Sequence, residues 1–213
     1  MDEASRVAEE LPLKAKFSDM PVNPFPLELG ALLNLAQGNL EEAVDDLLVL
    51  GADLEDFGFL NPAAIPWRQE VVPALATLDR TGEAEAIVAS AEELARAFGA
   101  PHVIGTVLRA RGLIEPRERQ IETLRSSVEL LEEYGPPHEL ARSVFELGAA
   151  LRRNRQRSES REPLRRAMEL AHRAGAGGIE TRAREELAAA GSRPRTKLEI
   201  TSREELGEAL EKE

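Results

Sequence analysis

Along most of this chain, apolar residues recur every three or four positions and charged residues fill the intervals. That is the spacing of helices with one buried stripe. Leu29, Leu32, Leu33 and Ala36 mark a first stripe over about 27–37, and Gly38 with Asn39 marks a turn. Asn39 and Glu42 have the form of a capping pair at the start of the next helix, which carries Ala43, Leu47 and Leu50 and is expected to stop at Gly51. Asn61-Pro62 has the form of a cap followed by a first-turn proline. Pro66 and Pro73 then require that helix to start late or to bend, because each proline removes an amide donor. Leu75 and Leu78 carry it to a turn at Thr81-Gly82. Further helices are expected over about 83–98, 101–111, 117–134, 137–153, 158–174 and 179–190, with Gly112 as a turn and Gly191 as a stop. No stretch alternates as a half-buried strand does.

The helices fall into a repeat. Leu94, Phe98 and Gly99 close one unit before Ala100-Pro101-His102, and Leu130, Tyr134 and Gly135 close the next before Pro136-Pro137-His138. Phe98 and Tyr134 stand 36 residues apart, and Leu170, Ala174 and Gly175 form a looser third copy. The turns match as well: Leu35 precedes Gly38, Leu78 precedes Gly82, Leu108 precedes Gly112, and Leu151 precedes Arg155, where the glycine is replaced. A period of this length belongs to stacked helical hairpins. One hairpin cannot bury its own apolar face, so neighbours stack into a solenoid. The expected fold is all-α, a right-handed superhelix of about five hairpins, with the first helix of each pair lining the concave face. Phe98 and Tyr134 are expected to plug the gaps between units.

The chain divides into three regions. Residues 1–27 form a leader in which Pro12, Pro21, Pro24 and Pro26 interrupt any long helix, with a short helix over 4–11. Residues 28–191 form the repeat domain. Residues 192–213 form a tail that Pro194 separates from the array, in which Ser202-Arg203-Glu204-Glu205 has capping-box form and Leu206 and Leu210 share a face.

Composition narrows the function. Hydrophobic residues make up 42% of the 213 but aromatics only 4%, so the core is built mainly from Leu, Ala and Val. Cysteine is absent, which removes disulfides, thiolate metal sites and a cysteine nucleophile and fits a cytoplasmic location. The acidic start lacks the apolar run of a secretory signal, and no stretch approaches the roughly 18 apolar residues of a membrane span. Net charge is −12 but uneven: residues 1–100 carry 6 Lys/Arg against 19 Asp/Glu, and residues 142–197 carry 14 against 7. The acidic total argues against non-specific nucleic-acid binding.

Several stretches resemble a known group. Asn61-Pro62-Ala63-Ala64-Ile65-Pro66-Trp67-Arg68, Phe98-Gly99-Ala100-Pro101, Leu147-Gly148-Ala149-Ala150-Leu151-Arg152-Arg153, Arg161-Glu162-Pro163-Leu164-Arg165-Arg166-Ala167 and the run from Ala183 to Arg195 are similar to the tetratricopeptide-like region of large ATP-binding LuxR-type transcriptional regulators of actinobacteria. The resemblance covers about 28–195. It implies a signal-receiving or partner-binding middle section, lying in that family between an ATP-binding module and a helix-turn-helix. Neither flanking activity is implied here. A Gly-x-x-x-x-Gly-Lys-Ser/Thr loop is missing, since none of Lys14, Lys16, Lys197 and Lys212 follows a glycine. The stretch 196–213 is also too short for a DNA-reading domain. The expected function is therefore a non-enzymatic sensor or binding module for a protein, peptide or small effector. A stand-alone scaffold is the alternative, and a homodimer is one way to cover an uncapped apolar end face.

No catalytic, cofactor or metal site is expected. His102, His138 and His172 lie in three different hairpins, and no His-Glu-x-x-His segment or Gly-x-Ser-x-Gly elbow occurs. Adjacent acids such as Glu41/Glu42 point in different directions on a helix and form no dyad. Two features are candidates for partner binding. Trp67, the single indole, is either an interface anchor or a packing residue between repeats. Arg152, Arg153, Arg155 and Arg157 surround one hairpin turn, and Arg161, Arg165 and Arg166 lie on the next helix. Guanidinium forks suit phosphate or carboxylate groups, so this cluster is a candidate contact for an adjoining domain or, more weakly, DNA backbone. The plainer alternative is a solvated helix face.

Overall fold

A computed structural model describes residues 24–191. The leader and tail expectations, including the short helices over 4–11 and after Ser202, lie outside the described residues. Within them the secondary structure is entirely helical: α1 (Phe25–Gln37), α2 (Leu40–Asp56), α3 (Trp67–Thr77), α4 (Thr81–Phe98), α5 (Pro101–Ile114), α6 (Arg117–Tyr134), α7 (Pro137–Arg153), α8 (Arg157–Arg173) and α9 (Gly177–Ala189). Links of two or three residues join most neighbours, so successive helices run antiparallel. Only the connection over 57–66 is longer.

The packing pattern makes this array an α-solenoid. Every helix packs on the next in sequence, and each odd helix also packs on the next odd one: α1 on α3, α3 on α5, α5 on α7, α7 on α9. No comparable packing joins the even helices among the described residues. The odd helices therefore form a continuous inner layer and the even helices an outer one. Four complete hairpins and the first helix of a fifth are present among the described residues.

The core has two apolar parts. One runs from Ala31 to Ala110 and the other from Leu124 to Leu187. Between them lies a polar layer of Arg109, Gln120, Ser127 and Ser143, all buried. Ser127 donates from its Oγ to the Gly105 carbonyl at 2.7 Å and lies 3.0 Å from the Ser143 hydroxyl, and the Gln120 amide donates to the Gly112 carbonyl at 2.9 Å. Buried polar groups of this kind persist because they find hydrogen-bond partners, here mainly backbone carbonyls of α5 and the Glu139 carboxylate.

Several sequence expectations are corrected. Gly51 does not stop α2. It lies inside the helix, where a Cβ would overlap the Trp67 indole, so it is a seat for the ring. Gly112 is likewise inside α5, and a Cβ there would lie 2.8 Å from Leu124 Cγ. The turn between α3 and α4 falls at 78–80, with Asp79 in the left-handed region at φ 59°, while Thr81 and Gly82 already belong to α4. The Asn39 side chain caps no amide of α2. Its amide lies near the Asn34 and Gln37 side-chain oxygens at 3.3 and 3.4 Å. Asn61 organises a turn, its Oδ1 accepting from the Ala63 amide at 2.9 Å, and the helix starts later, at Trp67. Phe98 and Tyr134 do not plug inter-repeat gaps. With Phe57 they end α2, α4 and α6 with half-exposed rings along one edge of the array.

Candidate functional site

The inner layer encloses a groove of about 610 Å³. All five odd helices contribute to its wall. Leu32, Leu35 and Ala36 of α1 form one apolar end, with Leu40 beside them, and Phe145 of α7 and Ile179 of α9 form the other. Pro73, Ala74 and Thr77 of α3 and Leu113 of α5 lie between. The odd helices face inward because each hairpin opens with a helix that stacks on its counterparts, whereas the second helix packs only on its sequence neighbours.

A charge network crosses the middle of the groove. The Arg142 guanidinium of α7 donates to both Glu70 carboxylate oxygens of α3, at 2.6 and 2.7 Å. It also donates to Glu139 at 3.3 Å. Glu139 is in turn ion-paired with Arg109 of α5, whose side chain is only 4% exposed. Burial opposes the Arg142 charge, but the hydrogen bonds and charges of Glu70 and Glu139 outweigh it and hold its pKa above the ordinary arginine value. Burial likewise works against the Glu139 carboxylate. The charges of Arg109 and Arg142 and the Arg109 hydrogen bond overcome it, and the Glu139 pKa lies below the usual carboxylate range. For Arg109, burial and then the neighbouring Arg142 charge prevail, and its pKa is lowered. Further out, Arg182 stacks 4.5 Å over the Phe145 ring and pairs with Glu146 at 3.5 Å. At the other end, burial and then the Glu70 charge raise the pKa of Glu28 on α1.

Of the residues singled out by sequence, Trp67 is a packing residue in this structure. It is 6% exposed, seated on Gly51, with Arg68 stacked 4.5 Å over its ring. Arg68 in turn pairs with Glu55.

The arginine cluster divides. Arg152 makes a two-pronged contact with Glu186 of α9, and Arg166 pairs with Glu132 of α6. Arg161 donates to the Ala190 carbonyl at 3.2 Å. Arg165 is exposed but engaged. Arg153, Arg155 and Arg157 are exposed and make no ion pair among the described residues. The cluster thus supplies both inter-repeat struts and a small unpaired basic turn, and it lies outside the groove.

Sequence reasoning placed the first helices on the concave face, left open which face binds, and missed Glu70, Arg109, Glu139 and Arg142. The histidines do not converge: His138 and His172 are exposed, each beside a glutamate, and no cluster of three or more metal-ligating side chains occurs among the described residues. No described helix is long and apolar enough to cross a membrane.

No family model matches this chain, and no curated protein does. Among solved structures, a crystal structure of a singly substituted form of Podosopora anserina putative kinesin light chain nearly identical TPR-like repeats is similar at 17% identity and a TM-score of 0.46, covering 81% of this chain and 85% of that one. The corresponding structure without a substitution in its description gives 17% identity and a TM-score of 0.44, covering 80% and 85%. The assignment of an α-solenoid rests on this chain's own helix packing.

Proposed function

We propose that this chain is a non-enzymatic binding module whose inner groove holds a segment of a partner protein. One observation carries the reading: a single groove is walled by all five odd helices. Helix axes in contact lie about 8–10 Å apart, so five in a row span roughly 30–40 Å. That suits about ten residues of extended chain, at roughly 3.3 Å each, better than a compact metabolite. Apolar walls at both ends suit apolar side chains, and the central charge band suits polar backbone between them. The groove's acids and bases are committed to one another, which favours recognition over proton transfer.

The test is peptide selection from a displayed random library. Ala36 and Thr77 are exposed on the groove wall, so Ala36→Arg/Thr77→Arg fills the groove without disturbing the core. Selected peptides are expected to bind the unmodified chain and to lose binding to this variant. Peptides that bind both equally, or a selection without enrichment, would overturn the reading.

The resemblance to LuxR-type regulators supports a narrower version, in which the groove is the effector-receiving surface of such a regulator and the partner segment is its signal. The mass of the polypeptide in its source cells tests that version. A far larger chain carrying an ATP-binding module and a helix-turn-helix supports it, and a chain of 23.4 kDa refutes it. A stand-alone scaffold would be left in that case.

A further inference from the structure

Arg153, Arg155 and Arg157 crowd the α7–α8 turn with three exposed charges that have no acidic partner among the described residues. Of the nearby acids, Glu186 holds Arg152 and Glu159 faces Arg125 at 3.8 Å. The same end of the array is where the described chain stops. Ala190, just after α9, accepts from Arg161, which lies one helical turn along α8 from Arg157. The Arg161 Nε is buried there with no hydrogen-bond partner among the described residues. The sequence beyond this end is acidic: residues 198–213 carry six glutamates against Arg203 and Lys212.

We infer that the basic turn of Arg153, Arg155 and Arg157 is a docking surface for the chain's own acidic segment 198–213. Opposite charge selects this occupant, and chain length permits it. The link over 192–197 extends to about 20 Å at roughly 3.3–3.6 Å per residue. Arg157 lies only about 6 Å along the helix axis from Arg161, where the tail begins. A short tether holds a segment at an effective concentration near the millimolar range, so ion pairs too weak to join separate molecules are sufficient here. Docking would neutralise this basic turn and leave the inner groove free. It is therefore independent of what the groove binds.

The absence of cysteine makes the test direct. In the full chain, Ser158→Cys beside the turn and Gly207→Cys in the acidic segment take a donor and an acceptor dye. Energy transfer is expected to be high at about 0.01 M salt and to fall at about 1 M, where screening confines charge interactions to about 3 Å. Arg153→Glu/Arg155→Glu/Arg157→Glu should abolish the low-salt transfer. Adding Glu204→Arg/Glu205→Arg/Glu208→Arg to that variant should restore it, which separates lost pairing from lost folding. Arg96→Glu/Arg173→Glu, on exposed sites of the opposite edge, should change nothing. Transfer that ignores both salt and the arginine reversals would overturn the inference. So would labels that stay far apart at low salt, including in a chain that binds duplex DNA through these arginines.

Discussion

Glu70 and Arg142 lie 72 residues apart and meet across the groove in two parallel hydrogen bonds of 2.6 and 2.7 Å. In a solenoid most contacts join adjacent repeats. This one links the second hairpin to the fourth and spans the α5 layer between them. It therefore ties the curvature of the array to one ion pair at the floor of the groove. Arg142→Ala strands the Glu70 carboxylate, which is only 11% exposed, and is expected to cost about 1–3 kcal/mol, below the range for a fully buried pair because Arg142 is one-third exposed. Glu70→Gln/Arg142→Met should cost less than Arg142→Ala alone, since both charges are removed together. Urea unfolding gives these values, and a rise in the radius of gyration of the single variant, measured by X-ray scattering, would show the curvature relaxing.

The seating of Trp67 on Gly51 predicts a change of sign between two glycines. In a helix interior alanine is favoured over glycine by about 1 kcal/mol. At Gly82 of α4 nothing lies near an added Cβ, so Gly82→Ala is expected to stabilise by about 0.5 kcal/mol. At Gly51 the added methyl overlaps the indole, and overpacking costs of about 1–3 kcal/mol outweigh the propensity gain. Gly51→Ala should therefore destabilise and shift the emission of the single tryptophan toward that of an exposed indole. Fluorescence-monitored denaturation reads both effects.

These two sites also show what sequence could and could not reveal. The Pro and Gly breaks after Phe98 and Tyr134 mark real helix ends, so the hairpins and the inward placement of first helices were legible. Gly51 and Gly112 were misread because a glycine that ends a helix and one that admits a neighbouring ring or leucine look alike in one dimension. The Glu70–Arg142 pair was not legible at all, because it depends on curvature summed over two repeats. The arginine run was visible as composition only. Arg152 and Arg166 find Glu186 and Glu132, each 34 residues away, nearly one repeat, and that pairing appears only once the repeats are stacked.

Glu139 and Glu28 should respond to pH in opposite directions. The folded-state pKa of Glu139 is lowered, so its contribution is fully present above the unfolded carboxylate value and is lost as pH falls through the folded value. Glu28 has a raised pKa, so folding is favoured when it is protonated, and that advantage disappears as pH rises through the folded value. Glu139→Gln should flatten the acid limb of the stability curve and destabilise at neutral pH, because Arg109 is left buried with its nearest charge removed. Glu28→Gln should raise Tm by about 1–2 °C at neutral pH and leave it unchanged near pH ~3.5. Thermal melts of the two variants from about pH 3 to neutral pH separate these outcomes.

Arg155 occupies the turn position that Gly38 and Asp79 hold in the first two hairpins, and its backbone is left-handed at φ 64°. For a side chain larger than Asn or Asp this costs about 1 kcal/mol. Arg155→Gly is therefore expected to stabilise by up to about 1 kcal/mol, a rise in Tm of about 2–4 °C for a chain of this size. Asp79→Gly, at φ 59°, should gain less, because aspartate tolerates this conformation. Arg153→Gly, at the end of α7, should lose stability instead, since it relieves no strain and lowers helix propensity. The Arg155 side chain makes no ion pair among the described residues, so the substitution removes strain without breaking a pair there. If Arg155→Gly both stabilises the array and lowers the low-salt energy transfer to residue 207, the strain at this turn maintains the charge that the acidic segment meets.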